Sequence, residues 1–168
     1  MAYSTVVVMG VSGVGKTTVA RALAERLGVP FAEADDFHPP ANVAKMSAGT
    51  PLTDADREPW LRSLGAWLGE REKEDSGGVM TCSALKRAYR ETLRAGAPGV
   101  FFLHLEGSRE LIEERLGRRT GHFMPPALLA SQFADLEPLG AGENGAVLDV
   151  QPTPEELVDR AIEVLAAR

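Results

Sequence analysis

Gly10-Val11-Ser12-Gly13-Val14-Gly15-Lys16-Thr17 follows the apolar run Val6-Val7-Val8-Met9 and precedes a segment of helical periodicity. This is G-x-x-x-x-G-K-[ST] in the setting it requires, with a short strand before it and a helix after it. Each residue type has a physical reason. Glycines at 10, 13 and 15 let the backbone bend until successive N–H groups face inward, toward phosphate oxygens. A helix opening near Lys16 turns its positive end to the same point. The Lys16 ammonium can reach β- and γ-phosphates, and the Thr17 hydroxyl can ligate Mg²⁺. The stretch therefore reads as a nucleoside triphosphate cradle, with Gly10, Ser12, Gly13, Val14, Gly15, Lys16, Thr17 and Thr18 around the nucleotide.

Outward from the loop, apolar runs at Val6–Met9, Phe31–Ala34, Val79–Cys82, Val100–Leu105 and Ala146–Val150 alternate with helical segments. That alternation predicts an α/β domain with a mostly parallel sheet. The first helix, about Lys16–Leu27, repeats Val19, Leu23 and Leu27 on one face and stops at Gly28. After Asp56, the spacing of Trp60, Leu61, Leu64, Trp67 and Leu68 predicts a second amphipathic helix, with both tryptophans in the core or at an interface. Thr153-Pro154-Glu155-Glu156 supplies an N-cap, a proline at N1 and a Glu at N3 for the last helix. Two segments interrupt the alternation: one over Phe37–Pro51, with His38-Pro39-Pro40, and a basic loop over Gly117–Pro126. Such insertions above the carboxyl edge of a sheet are where α/β enzymes carry substrate clamps and lids.

The 168 residues suit one domain, 1–168, with 44% hydrophobic and 25% charged residues and no low-complexity tract. A net charge of −6 argues against nucleic acid as the main partner. The lone cysteine, Cys82, rules out an intrachain disulfide framework and points to a reducing compartment. Residues 1–9 have no charged n-region and too short an apolar run for a signal or membrane span, so a cytoplasmic location is expected.

Asp35 and Asp36 fall at the end of the second strand, where a carboxylate could accept or orient a hydroxyl proton and hold Mg²⁺; Asp35 is the better placed. Lys86, Arg87 and Arg90 occupy the first turns of a helix, where cations oppose the dipole by a few tenths to about 1 kcal/mol each. Lys86 is therefore expected to serve an anion site, whereas Arg90 and Arg94 are expected to bend into water. Arg115, Arg118 and Arg119 cluster where a helix meets the second insertion, apt for a loop that brings charge onto phosphates. His104, inside an apolar strand, is expected to be a satisfied core histidine, and Cys82 a small core residue. The histidines at 38, 104 and 122 lack zinc-site spacing, no N/TKxD motif is present, and no apolar strand ends in an ordinary Walker B Asp.

Asp35-Asp36-Phe37-His38-Pro39, Asn42, Lys45-Met46 and Gly49 through Leu61, together with the P-loop, resemble gluconokinase. Cys82 through Arg90, Gly121-His122-Phe123-Met124, Ser131-Gln132-Phe133 and Leu136-Glu137 extend the resemblance along nearly the whole chain. It implies a three-layer P-loop kinase fold with a parallel five-stranded sheet, of the nucleoside-monophosphate-kinase type, with a substrate insertion at about 37–60 and a lid at about 117–126. It implies transfer of the ATP γ-phosphate to the 6-hydroxyl of D-gluconate with Mg²⁺, in a cytoplasmic homodimer without nucleic-acid or membrane partners. Lys16, Asp35 and Arg119 would be catalytic, and Thr17 and Asp35 would hold the metal. Asp35, His38, Lys45, Arg57, Lys86, His122 and Gln132 would surround the sugar acid; Arg115, Arg119, Gln151 and Pro152 would border the nucleotide. Where many relatives carry Gly before the first aspartate, this chain has Ala34. A kinase for another small anion such as shikimate is the alternative.

Overall fold

Three consecutive valines ending in Met9 place apolar side chains on both faces of one strand, which must then be covered on both sides. The computed structural model, which describes residues 5–118 and 126–167, shows that arrangement. Strands β1 (Thr5–Met9), β2 (Phe31–Glu33), β3 (Gly78–Thr81), β4 (Phe101–Glu106) and β5 (Gly145–Asp149) form one parallel sheet in the order β2-β3-β1-β4-β5. Val6 and Val8 join Leu103 and Leu105 under helices α1 (Lys16–Leu27) and α7 (Pro154–Ala167). Val7 and Met9 join Met80 and Phe102 under α3 (Asp54–Lys73) and α4 (Arg87–Gly96). Three further α-helices, α2 (Pro40–Ser47), α5 (Arg109–Arg118) and α6 (Pro126–Asp135), lie among the described residues. The strand order reverses beside β1, so the loop leaving β1 sits at the crevice where open α/β sheets bind ligands. Among the described residues, no helix is long and apolar enough to cross a membrane.

Local chemistry accounts for the boundaries. Helix α1 ends at Gly28 in the left-handed region, φ 69°. Helix α3 begins earlier than its apolar spacing indicates: Thr53 and Asp56 form a reciprocal capping box that starts the helix at Asp54. Helices α3 and α4 approach closely through two glycines, since a Cβ on Gly96 would lie 2.7 Å from the Gly65 carbonyl carbon. Ala34 opens a 3₁₀ turn over Ala34–Phe37 without a positive φ, so its methyl group introduces no backbone strain beside Asp35. Its carbonyl instead accepts the Trp60 indole N–H at 2.7 Å, which anchors α3 to the turn.

Three sequence expectations fail in and beside the core, those for Arg90, Arg94 and His104. Arg90 does not bend into water; its side chain is fully buried. The guanidinium donates to Ala84 O, Leu85 O, Glu137 O and both carboxylate oxygens of Glu143, a buried partner that Arg94 also reaches at 3.0 Å. A planar fork with this many acceptors is one of the few ways to bury a charge. His104 is buried as expected, yet its Nδ1 has no hydrogen-bond partner among the described residues. Burial lowers its pKa and favours the neutral ring.

Burial works to raise the Glu143 pKa, but hydrogen bonds from Arg90, the Gly140 N–H and Arg94 outweigh it and hold the group at about 2. A pKa depressed on folding stabilises fully above the ordinary value of 4.5 and loses that contribution as pH falls through about 2. Glu143→Ala, which strands the Arg90 charge, is expected to destabilise by about 3–5 kcal/mol in denaturant unfolding at neutral pH. Its stability should also change less with pH between those two values than that of the parent chain.

Candidate active site

The P-loop is shaped by what it must avoid. Gly10 (φ 146°) and Gly13 (φ 90°) have no room for side chains: a Cβ would lie 2.7 Å from Leu105 O at the first and 2.9 Å from Leu116 Cγ at the second. Gly15 opens α1 without a side-chain cap, leaving the first amides of the helix for a ligand. Ser12, Gly13, Gly15, Lys16, Thr17 and Thr18 line a cleft of ≈ 570 Å³. Val14 differs from its neighbours, because its side chain is buried in the core and only its backbone faces the loop. Lys16 Nζ donates to Gly10 O and Val11 O at 2.9 and 3.1 Å, folding over the loop it belongs to. The Gly10 N–H donates to Ser83 O at 3.3 Å, tying the loop to the end of β3.

Across the cleft stands a carboxylate that the sequence reading passed over. Glu33, the last residue of β2, accepts the Thr17 hydroxyl on Oε1 and the Thr81 hydroxyl on Oε2, both at 2.7 Å. An acid closing a strand at the carboxyl edge, two positions before Asp35, was the signal available. Thr17, Glu33 and Asp35 together offer a hydroxyl and carboxylates to the same cleft. Such hard oxygen donors, few in number, suit Mg²⁺, which keeps waters and phosphate oxygens as its other ligands. Cys82 also lines the cleft, but burial pushes its thiol up to about 12, so it supplies no thiolate.

A second cavity of ≈ 210 Å³ opens beside the first and shares Asp35, Cys82, Ser83 and Gln132 with it. His38, Arg57, Trp60 and Tyr89 form much of its wall. The Asp35 carboxylate is exposed at the boundary, 3.9 Å from His38 Nε2. His38 is stacked on Trp60 with centroids 4.2 Å apart, and Asn42 Nδ2 approaches its Nδ1 at 3.3 Å. Burial, with a further push from Arg57, lowers the His38 pKa against the opposing pull of Asp35. Lys86 caps α4, with Nζ 5.6 Å from the Tyr89 ring. The N-terminus of α4 already has an anion from within the chain: Glu137 Oε1 accepts the Arg87 N–H at 3.1 Å.

Several expected residues have other or additional duties. Lys45 is absent from the described walls of both cavities; it holds Asp56 at 3.0 and 2.8 Å, and that contact leads the influences that lower the Asp56 pKa to about 2. Its charge is thereby engaged in an α2–α3 ion pair, and Lys86 is likewise absent from the described walls of both cavities. Gln132 spans both cavities, but its amide grips the P-loop, accepting the Ser12 N–H at 2.7 Å and donating to Ser12 Oγ at 3.1 Å. Arg115 lines the nucleotide cleft and donates to Val150 O, at the head of the segment Gln151-Pro152. Gln151 and Pro152 are not among the described residues lining the cleft. Arg119 and His122 lie outside the described residues.

Known proteins resemble this chain in sequence and in fold. A family model described as an AAA domain matches residues 6–139. A gluconokinase from Gluconobacter oxydans is 53% identical over 156 residues, covering 93% of this chain and 88% of the relative. The crystal structure of a gluconokinase from Sinorhizobium meliloti superposes with TM-score 0.89 at 47% identity, covering 99% of this chain and 93% of that one. A shikimate kinase from Aquifex aeolicus, at 16% identity and TM-score 0.63 over 97% of this chain and 96% of that one, shares the fold alone.

Glu33→Ala is expected to weaken Mg²⁺-dependent nucleotide binding by about 10–100-fold, the usual loss when a residue orienting a metal ligand is removed. Titration of a triphosphate at several Mg²⁺ concentrations checks this; unchanged Mg²⁺ dependence would show that Glu33 does not orient Thr17.

Proposed function

We propose a reaction for this chain on the footing that it belongs to the gluconokinase family and to the AAA-domain family matched over residues 6–139. It transfers the γ-phosphoryl group of ATP to the 6-hydroxyl of D-gluconate, giving 6-phospho-D-gluconate and ADP. The observation that carries this reading is the junction of the two cavities at Asp35, with cations on the acceptor side and the P-loop on the other. The shikimate alternative has only a remote likeness of fold behind it.

The residues divide the work. The P-loop amides and Lys16 hold the triphosphate and offset charge on the migrating group, where phosphoryl transfer gains most. Thr17, with Asp35 nearby, would hold Mg²⁺, which when bound neutralises phosphate charge. Asp35 receives or orients the proton of the acceptor hydroxyl, and His38, its Nε2 3.9 Å from that carboxylate, is held toward the neutral form by burial and adds no charge beside it. Arg57 and Lys86 take the carboxylate at the other end of the sugar acid, fixing which hydroxyl meets the phosphate. The resemblance assigns Arg119 to the phosphates and His122 to the sugar acid, and both lie outside the described residues. A cytoplasmic homodimer belongs to the same reading and rests on the resemblance; sedimentation velocity tests the assembly.

ADP release measured with gluconate, other aldonates, shikimate and nucleoside monophosphates is expected to respond to gluconate; a response to shikimate alone would overturn the substrate. Asp35→Asn should lower kcat by about 100-fold or more while KM for gluconate moves little. Lys16→Ala should abolish transfer in a chain that remains folded by circular dichroism.

A further inference from the structure

Arg57, in the first turns of α3, lines the acceptor cavity, and Lys86, the cap of α4, is not among the described lining residues but stands across the Tyr89 ring, which is. Between them lies a carboxylate of the chain itself. Asp54, at the head of α3, is 3.6 Å from Arg57 Nη1 and 3.8 Å from Lys86 Nζ. Both separations are long for ion pairs; the neighbouring Lys45–Asp56 pair closes to 2.8 Å. Tyr89 accounts for the difference. Its hydroxyl donates to Asp54 Oδ1 at 2.7 Å and accepts from Arg57 Nη1 at 3.2 Å. Its ring lies 5.5 Å from the Arg57 guanidinium carbon and 5.6 Å from Lys86 Nζ, spacing the two cations across one aromatic body. A short O–H···O⁻ bond is strong enough to fix an exposed carboxylate that would otherwise swing onto a nearby cation.

We propose that Tyr89 is a specificity-determining residue that parks Asp54 on its hydroxyl, so that the chain's own carboxylate does not close on Arg57 and Lys86 and both stay open to the carboxylate of the acceptor. The inference rests on the acceptor being a carboxylate-bearing sugar acid. An internal anion in full contact with both cations would compete directly with the ligand, because the two would use the same donors. The Asp54 side chain is 71% exposed, so rotation is unhindered and the hydrogen bond to Tyr89 decides where it rests. Asp135, which also lines the cavity and interacts electrostatically with Lys86, comes from α6 and is not held by Tyr89. Its influence is common to all variants of the pair.

Steady-state kinetics on Tyr89→Phe, Asp54→Asn and the double variant test this. Tyr89→Phe keeps the ring and should raise KM for gluconate about fivefold, the scale of one exposed ion pair, with KM for ATP unchanged and kcat within about twofold. Asp54→Asn should leave KM for gluconate at or below the parent value, and in the double variant it should cancel the Tyr89→Phe defect. With gluconamide, the uncharged amide, Tyr89→Phe should leave KM unchanged. A Tyr89→Phe enzyme with unaltered KM for gluconate, or a defect that persists in the double variant, would overturn the proposal. Absence of gluconate-dependent ADP release in the parent enzyme would instead overturn the reaction on which it rests.

Discussion

Glu33 takes a hydroxyl hydrogen bond on each carboxylate oxygen, from Thr17 on the P-loop and from Thr81 on β3, both at 2.7 Å. The geometry of the site follows from this bridge. Strands β2 and β1 are separated by β3, so loops leaving them would otherwise be independent. The bridge sets the P-loop threonine against the end of β2, and the next residues of the chain are Ala34 and Asp35. The triphosphate side and the acceptor side are thus held in one frame before either ligand arrives, which is the condition for in-line transfer without costly rearrangement.

A second frame supports the acceptor side from below. Arg90 holds the carbonyls of Ala84 and Leu85 on one hand and of Glu137 on the other, with Glu143 neutralising it. Ala84 sits in the left-handed region at φ 45°, a conformation an alanine keeps only when its surroundings impose it. The turn so fixed runs from Ser83, which receives the Gly10 N–H of the P-loop, to Lys86 at the cap of α4. Gln132 closes the circuit by clasping Ser12 from α6. These contacts come from segments far apart in the chain, so the site is a property of the assembled core.

The division between what could be read in the sequence and what could not follows the same distinction. The P-loop, the strand runs and the Gly28 stop are local patterns, in which neighbouring residues carry the whole signal, and the structure reproduces them. The position of Asp35 at the edge of the cleft was legible because it follows a strand end beside a recognisable loop. Arg90 was not: dipole reasoning from its own helix sends it to water, and the Glu143 that draws it inward is 53 residues away. The ion pair of Lys45 with Asp56 was out of reach in the same way, because it forms only once α2 and α3 are placed together. Glu33 lay in plain view, and its role appears only once Thr17 and Thr81 are seen to converge on it.

In the proposed reaction the two cavities meet at Asp35, and phosphate passes between them to one defined hydroxyl. ³¹P NMR of the reaction of ATP with gluconate, with proton coupling resolved, tests this most directly. A single phosphomonoester is expected, its phosphorus coupled to the two protons at C6 and formed in step with ADP. Inorganic phosphate as the only new signal, or a phosphomonoester at another carbon, would contradict it.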